Sequence, residues 1–364
     1  MNLTDRIRKV TPYVPGEQPQ NRDVIKLNTN ENPYPPAPGV ADALRGIADE
    51  ADIFRKYPDP DATALVNTLS EYYKIPYDRI FVGVGSDDVL AMSFLTFFNS
   101  TDPVLFPDIT YSFYKVWCDL FRIPFREVPL TEDFTIEPQD YISADHVGGI
   151  VIANPNAPTS IALEPASIEE IIAAHPDALV IVDEAYIDFG GMSALPLIDR
   201  YDNLLVVQTF SKSRSMAGAR IGVAFGCEKL ISYLKDVKFS FNSYTMSQDA
   251  IRIGAAAASL SDKKYFEDTV AKITDTRDAS INRLRELGFE CPDSSTNFIF
   301  ATHPDVYAGD IFEELKKRNI YVRHFSSQRI DNYLRITVGT PEEMDELIKT
   351  LKDILEQSIK ERQI

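Results

Sequence analysis

Lys212 lies in QTFSKSRSMAGARIG (residues 208–222), where an apolar run ends among small polar residues and Arg220 follows eight positions later. A lysine acts as a nucleophile only when part of it is unprotonated, which requires burial or a cationic neighbour. The end of a strand among serines and arginines offers both; a solvated loop lysine is the plain alternative. Upstream, LVIVDEAY (179–186) puts Asp183 at the end of an apolar run, where an uncompensated carboxylate is expensive. Its partner is then a buried cation, for which a protonated pyridine nitrogen qualifies, or the backbone amides of the next turn. A third segment, GVGSDD (83–88), stands between the apolar RIFV and the start of a helix. Backbone amides at such a helix start face an anion. The segment has neither the GKS/T of a Walker loop nor the GxGxxG spacing, and glycine turns before helices are common for structural reasons alone.

The elements that must position these groups alternate along the chain. From about residue 79, short apolar runs alternate with longer amphipathic ones. The runs at Gly149–Ala153, Leu179–Val182 and Leu204–Val207 are apolar at consecutive positions and rich in β-branched residues, as strands covered on both faces are. Polar residues follow at their ends, where α/β sheets present binding groups. The fold class expected is α/β: a large domain with a mostly parallel sheet flanked by helices, plus a smaller α+β domain. Residues 1–35, with TPYVPG and NENPYPPAP, read as an extended N-terminal arm rather than a helix or strand. Residues 36–265 form the expected large domain, with helices at Ala37–Asp52 and Asp61–Tyr73. Residues 266–364 form the small one, entered through a long helical stretch, Tyr244–Leu287.

The chain has 364 residues, more than one hydrophobic core usually supports. Its net charge of -18 opposes nucleic-acid binding, which needs basic stripes, and favours solubility. A few local Arg or Lys residues can still make a positive pocket for a small anion. Cys118, Cys227 and Cys291 are odd in number and widely spaced, which points to free thiols rather than disulfides or a metal site. The opening MNLTDRIRKVTPYVPGEQPQ has no apolar core, and no run approaches a membrane span. A cytoplasmic protein without a membrane partner is expected.

Eleven segments in order, TPYVPG, KLNTNENPYPP, KYPD, GVGSDD, FPDITYSFY, NPNAPT, VDEAYIDF, TFSKSRSMAGARIG, NFIFA, VRHF and LRITVGT, give the chain its resemblance to the fold-type I pyridoxal-phosphate-dependent aminotransferases. Within these the chain is most similar to the histidinol-phosphate aminotransferases, over nearly its whole length. The resemblance implies pyridoxal 5'-phosphate on Lys212 as a Schiff base, with that lysine carrying the proton at the substrate's α carbon. It implies Asp183 on the pyridine nitrogen and Tyr186 on the 3' oxygen. Gly85, Ser86 and Asp87, completed by Ser211 and Arg220, would hold the phosphate, and Tyr111 would stack on the ring; core packing is the alternative for Tyr111. Tyr57 would reach the cofactor phosphate of a neighbouring subunit in a homodimer with shared active sites. Arg323 and Arg335 would face the substrate's anionic group, with Tyr13, Asn30 and Asn297 in segments of the same pocket.

The chain departs from the family's Asn-Asn-Pro-Thr-Gly at Ala157 and Ser160. Alanine cannot donate to the 3' oxygen, which leaves Asn156 or Tyr186 for that task. The reaction implied is amino transfer between L-histidinol phosphate and 2-oxoglutarate, giving imidazole-acetol phosphate and L-glutamate in histidine biosynthesis. Aromatic amino-acid aminotransfer and threonine-phosphate decarboxylation share most of the motifs. A non-catalytic cofactor-binding module would normally bring a basic DNA-binding helix, which these residues do not contain.

Overall fold

A computed structural model of the protein describes residues 2–21 and 23–362. The first elements are a short strand β1 (Ile25–Lys26) and helices α1 (Pro38–Asp49) and α2 (Thr63–Tyr73). Strands and helices then alternate. They run β2 (Ile80–Gly83), α3 (Ser86–Phe97), β3 (Val104–Pro107), α4 (Phe113–Phe121), β4 (Phe125–Val128) and α5 (Pro138–Ile142). Next come β5 (Gly149–Ala153), α6 (Pro165–Ala174), β6 (Val180–Asp183), β7 (Leu204–Thr209) and β8 (Gly222–Phe225).

These seven strands make one sheet in the order β2-β8-β7-β6-β5-β3-β4. Pairing is parallel from β4 through β7, and β8 is antiparallel to both of its neighbours. The apolar runs are buried at every position of β5, β6 and β7, because each face packs against its own core. Val180 and Val182 join one cluster with α1, α2 and α6, while Ile181 and Val207 join a second with α3 and α4.

After β8 come α7 (Glu228–Phe241), α8 (Gln248–Ala257) and α9 (Lys263–Glu286). The helical stretch expected over Tyr244–Leu287 is therefore broken at residues 258–262, where Ser259 caps a short 3-10 turn through its side chain. Strand β9 (Phe298–Ala301), helix α10 (Ala308–Lys317) and strands β10 (Ile320–Tyr321), β11 (Arg323–His324) and β12 (Leu334–Thr337) follow, closed by α11 (Pro341–Arg362). Strands β11, β12 and β9 form an antiparallel sheet with a core of its own.

The first 35 residues are not wholly an arm. β1 pairs in parallel with β10, and Leu27 is buried in the core of the smaller sheet. Val24-Ile-Lys-Leu27 is mostly apolar but too short to read as a strand by itself, and its partner lies some three hundred positions away. Among the described residues no helix is long and apolar enough to cross a membrane.

Candidate active site

The carboxyl ends of the parallel strands open onto a cavity of about 800 Å³, walled by Pro107, Ala153, Asp183 and Thr209 from the large sheet and by Arg323 and Arg335 from the smaller one. Open α/β sheets place ligands at this end because the strands stop there and their loops diverge.

Asp183 is 5% exposed, and both of its oxygens are held. The Tyr114 hydroxyl donates to Oδ2 at 2.7 Å and the Ala185 amide to Oδ1 at 3.2 Å. Among the described residues no cationic side chain pairs with it. Burial pushes its carboxyl up to about 6, against the pull of the Tyr114 bond. Tyr114 was not foreseen. It is fully buried, and in the aromatic run of α4 its ring reads as core; the hydroxyl has no signature in the sequence.

Lys212 is half-buried, and its Nζ donates to the Thr29 carbonyl at 3.1 Å. Burial, helped by the Arg335 charge, brings its amine down to about 8. The ammonium lies 5.8 Å from the centre of the Tyr186 ring. Asn32 fixes the loop backbone by donating to the carbonyls of Lys212 at 3.1 Å and Ser213 at 3.2 Å. Asn30 Nδ2 donates to the Tyr186 oxygen at 2.8 Å, which leaves the phenol proton free to donate into the cavity. Asn30 is held in turn by the Thr337 hydroxyl at 3.1 Å.

The anion cradle is built where α3 begins. Gly85 caps the helix at φ +85°, and a Cβ there would lie 2.6 Å from Arg220 Nη2. Arg220 pairs with Asp87 at 3.0 Å and reaches toward Ser211 Oγ at 3.5 Å, and the Tyr111 hydroxyl donates to Asp87 at 2.7 Å. Ser86, Asp87, Ser211 and Arg220 all line the cavity, and Tyr111 closes its side. Asp87 holds the arginine and the tyrosine rather than offering itself to an anion.

At the opposite wall, Arg323 and Arg335 face each other directly across the antiparallel pair β11·β12. Like charges at such a position repel unless an anion lies between them. Arg335 Nη2 donates to the Asn28 carbonyl at 3.1 Å, its Nε is buried without a partner, and its guanidinium lies 5.3 Å from the Phe298 ring centre. Burial lowers its pKa. Tyr13 lines the same end, stacked on Phe113 with centroids 4.2 Å apart.

Two residues expected in this chain's pocket stand elsewhere, and Tyr57, expected in a partner's site, lies outside it. Asn156 is 3% exposed and occupied within the protein: Nδ2 donates to the Ile109 carbonyl and the Thr159 hydroxyl, both at 2.9 Å, while Oδ1 accepts from Thr110 at 2.7 Å. It ties two loops together and does not line the cavity, whereas Ala157 does. Tyr186 is then the donor left for a 3' oxygen. Ser160, at φ 67°, holds the left-handed conformation that glycine adopts without strain. Asn297 is fully buried behind the wall and donates to the Asn30 carbonyl at 3.0 Å, so it supports the pocket without entering it. Tyr57 is 78% exposed and stacked on Tyr244, outside this chain's cavity.

Pyridoxal 5'-phosphate fits what is present: an acid without a cation for a pyridinium nitrogen, a lysine with a lowered pKa, a phenol proton, and an anion cradle that a Cβ would fill.

The family model described as "Aminotransferase class I and II" matches residues 22–351. The chain is 48% identical to the histidinol-phosphate aminotransferase of Lactococcus lactis subsp. cremoris (strain SK11) over 360 residues, covering 99% of each chain. It is 50% identical to that of Acinetobacter baumannii (strain SDF) over 351 residues, covering 96% of each. In fold it matches the crystal structure of histidinol-phosphate aminotransferase from Sinorhizobium meliloti in complex with pyridoxal-5'-phosphate. That match has a TM-score of 0.83 at 23% identity and covers 92% of each chain.

Proposed function

Because the chain belongs to the class I and II aminotransferase family, we propose that it transfers an amino group between L-histidinol phosphate and 2-oxoglutarate, with pyridoxal 5'-phosphate as cofactor. The reading rests above all on one arrangement: a lysine of lowered pKa and an unpaired buried acid share a cavity that carries positive charge at both ends.

When bound, the cofactor supplies an electron-poor ring that draws charge from the substrate's α carbon. Lys212 would hold its aldehyde, Asp183 its ring nitrogen, Tyr186 its 3' oxygen, and Ser86, Ser211 and Arg220 its phosphate. Tyr114 matters here because its bond favours the ionised form of Asp183, the form that holds a pyridinium. The Nζ of Lys212 would move the proton at the substrate's α carbon. An amine with a pKa near 8 is a better base at neutral pH than one near 10.5, because a useful fraction is already unprotonated.

Arg323 and Arg335 would take the anionic group of either substrate, the phosphate of histidinol phosphate or the far carboxylate of glutamate. Two guanidiniums in register suit a doubly charged phosphate. We also propose two domains meeting at the cavity, a homodimer in which Tyr57 completes the partner's cofactor site, and the cytoplasm as compartment, which suits three free cysteines.

Turnover of histidinol phosphate with 2-oxoglutarate should exceed that of phenylalanine or threonine phosphate under the same conditions. Borohydride reduction of the holoenzyme should label Lys212 in the peptide map. Equal turnover of phenylalanine would overturn the substrate, and label on another lysine would overturn the site.

A further inference from the structure

Beneath the cavity, on the opposite face of β6 and β7, lies a layer of polar side chains that none of these roles uses. Successive strand residues point to opposite faces, so Glu184, next to Asp183, points away from the cavity. It is 1% exposed and has no cationic partner among the described residues. Its oxygens only accept: Oε1 from the Ala194 amide at 2.6 Å, and Oε2 from Ser193 Oγ at 2.7 Å and Gln208 Nε2 at 2.8 Å. Gln208 Oε1 accepts in turn from the Tyr73 hydroxyl at 2.8 Å.

Beside the Tyr73 oxygen lies the guanidinium of Arg214, itself 7% exposed. That guanidinium is boxed by the rings of Tyr72, Phe210 and Phe266, at 4.7, 5.0 and 4.5 Å, and donates to the Ala257 carbonyl at 2.8 Å. A cation and an anion are thus buried apart with two neutral dipoles between them, Tyr73 donating to Gln208 and Gln208 to Glu184. Burial pushes Glu184 up to about 7, against the bonds from Gln208, Ser193 and Ala194, which favour its ionised form. Apolar side chains of similar volume commonly fill such space at no loss of stability.

The ends of this chain of bonds matter more than its middle. Glu184 directly follows Asp183, and Arg214 stands two residues after Lys212. A second tie joins the same two segments, with Ser213 Oγ donating to Asp188 Oδ2 at 2.5 Å. Neither Glu184 nor Arg214 lines the cavity. We propose that Glu184, Gln208, Tyr73 and Arg214 form a positioning relay that sets the spacing between the Asp183 carboxylate and the Lys212 amine. The inference rests on the aminotransferase reading, in which these two groups bracket one ring. They are positioning residues: they act through Asp183 and Lys212 and touch no substrate.

Glu184→Gln breaks the polarity of the relay, because its amide must confront the Gln208 amide or the Ala194 N–H. Tyr73→Phe removes a single hydroxyl and is the gentler variant. The double exchange Glu184→Gln with Gln208→Glu restores a carboxylate facing an amide, with Tyr73 still donating to position 208. In the holoenzyme each single variant should lower kcat about tenfold, as small misplacements of reacting groups do. KM for the amine should stay within about twofold, since Arg323 and Arg335 are untouched. The circular dichroism of the bound cofactor's visible band, which reports its orientation, should fall by about half. The double exchange should recover most of both.

Wild-type kcat and dichroism in a folded Tyr73→Phe or Glu184→Gln protein would overturn the relay. So would activity that falls only in proportion to the folded fraction, or a double exchange no better than the single one. The band and the ratios to wild type can be measured with any amine the enzyme accepts, so a wrong substrate assignment would not imitate a failed relay.

Discussion

Asp183 shows how a single hydroxyl can set a reaction's pH range. Burial drives its carboxyl upward, and the bonds from Tyr114 and the Ala185 amide hold it to about 6. In Tyr114→Phe the anion loses that donor, so its pKa rises further, by about one unit for a hydrogen bond to a charged group. In the cofactor-free protein about half of the chains should then carry a protonated Asp183 at pH 7, and the acid limb of pyridoxal phosphate binding should move to higher pH. An acid limb that stays in place would mean that the tyrosine is packing only. Lys212, Asp183 and Arg220 were legible in the sequence because each stands in a short motif whose chemistry is local. Tyr114 was not, because its partner is 69 positions away and its ring satisfies the core pattern by itself. Asn156 misled for the mirrored reason: a polar residue beside a site was read as facing it, whereas three loop groups consume its amide.

Between residue and fold, the start of α3 and strand β8 form one unit. A Cβ on Gly222 would lie 2.3 Å from the Gly85 carbonyl carbon and 2.4 Å from the Ser86 amide, backbone against backbone. Gly222→Ala must therefore push the anion cradle away from the sheet, a strain of roughly 3 kcal/mol. Its urea midpoint should fall, and affinity for pyridoxal phosphate, followed by fluorescence titration, should drop more than about tenfold. Gly218→Ala makes a fitting control, because nothing lies within 4 Å of a Cβ there and φ is not left-handed; stability and affinity should both hold. The parallel strands were readable because burial on both faces demands consecutive apolar residues. The two-residue β1 and the break between α8 and α9 were not, since a remote partner decides the first and a local serine cap the second.

At the scale of the whole molecule, Tyr57 is the residue the single chain leaves unexplained. It projects 78% exposed and stacks on Tyr244 at 4.5 Å, with Phe54 and Phe241 also exposed. A two-fold dimer would give each cavity the other chain's Tyr57, because an isologous interface exchanges the same residue both ways. Subunit mixing tests this directly. Lys212→Ala destroys a chain's own site but leaves its Tyr57 intact for the partner, whereas Tyr57→Ala does the reverse. Each variant alone should be weak or inactive. When the two are mixed and allowed to exchange, half of the dimers are hybrid and each hybrid holds one intact site, so activity should return to about a quarter of wild type. If Tyr57 served its own chain, no combination would restore an intact site, and the mixture would show only the average of its parents.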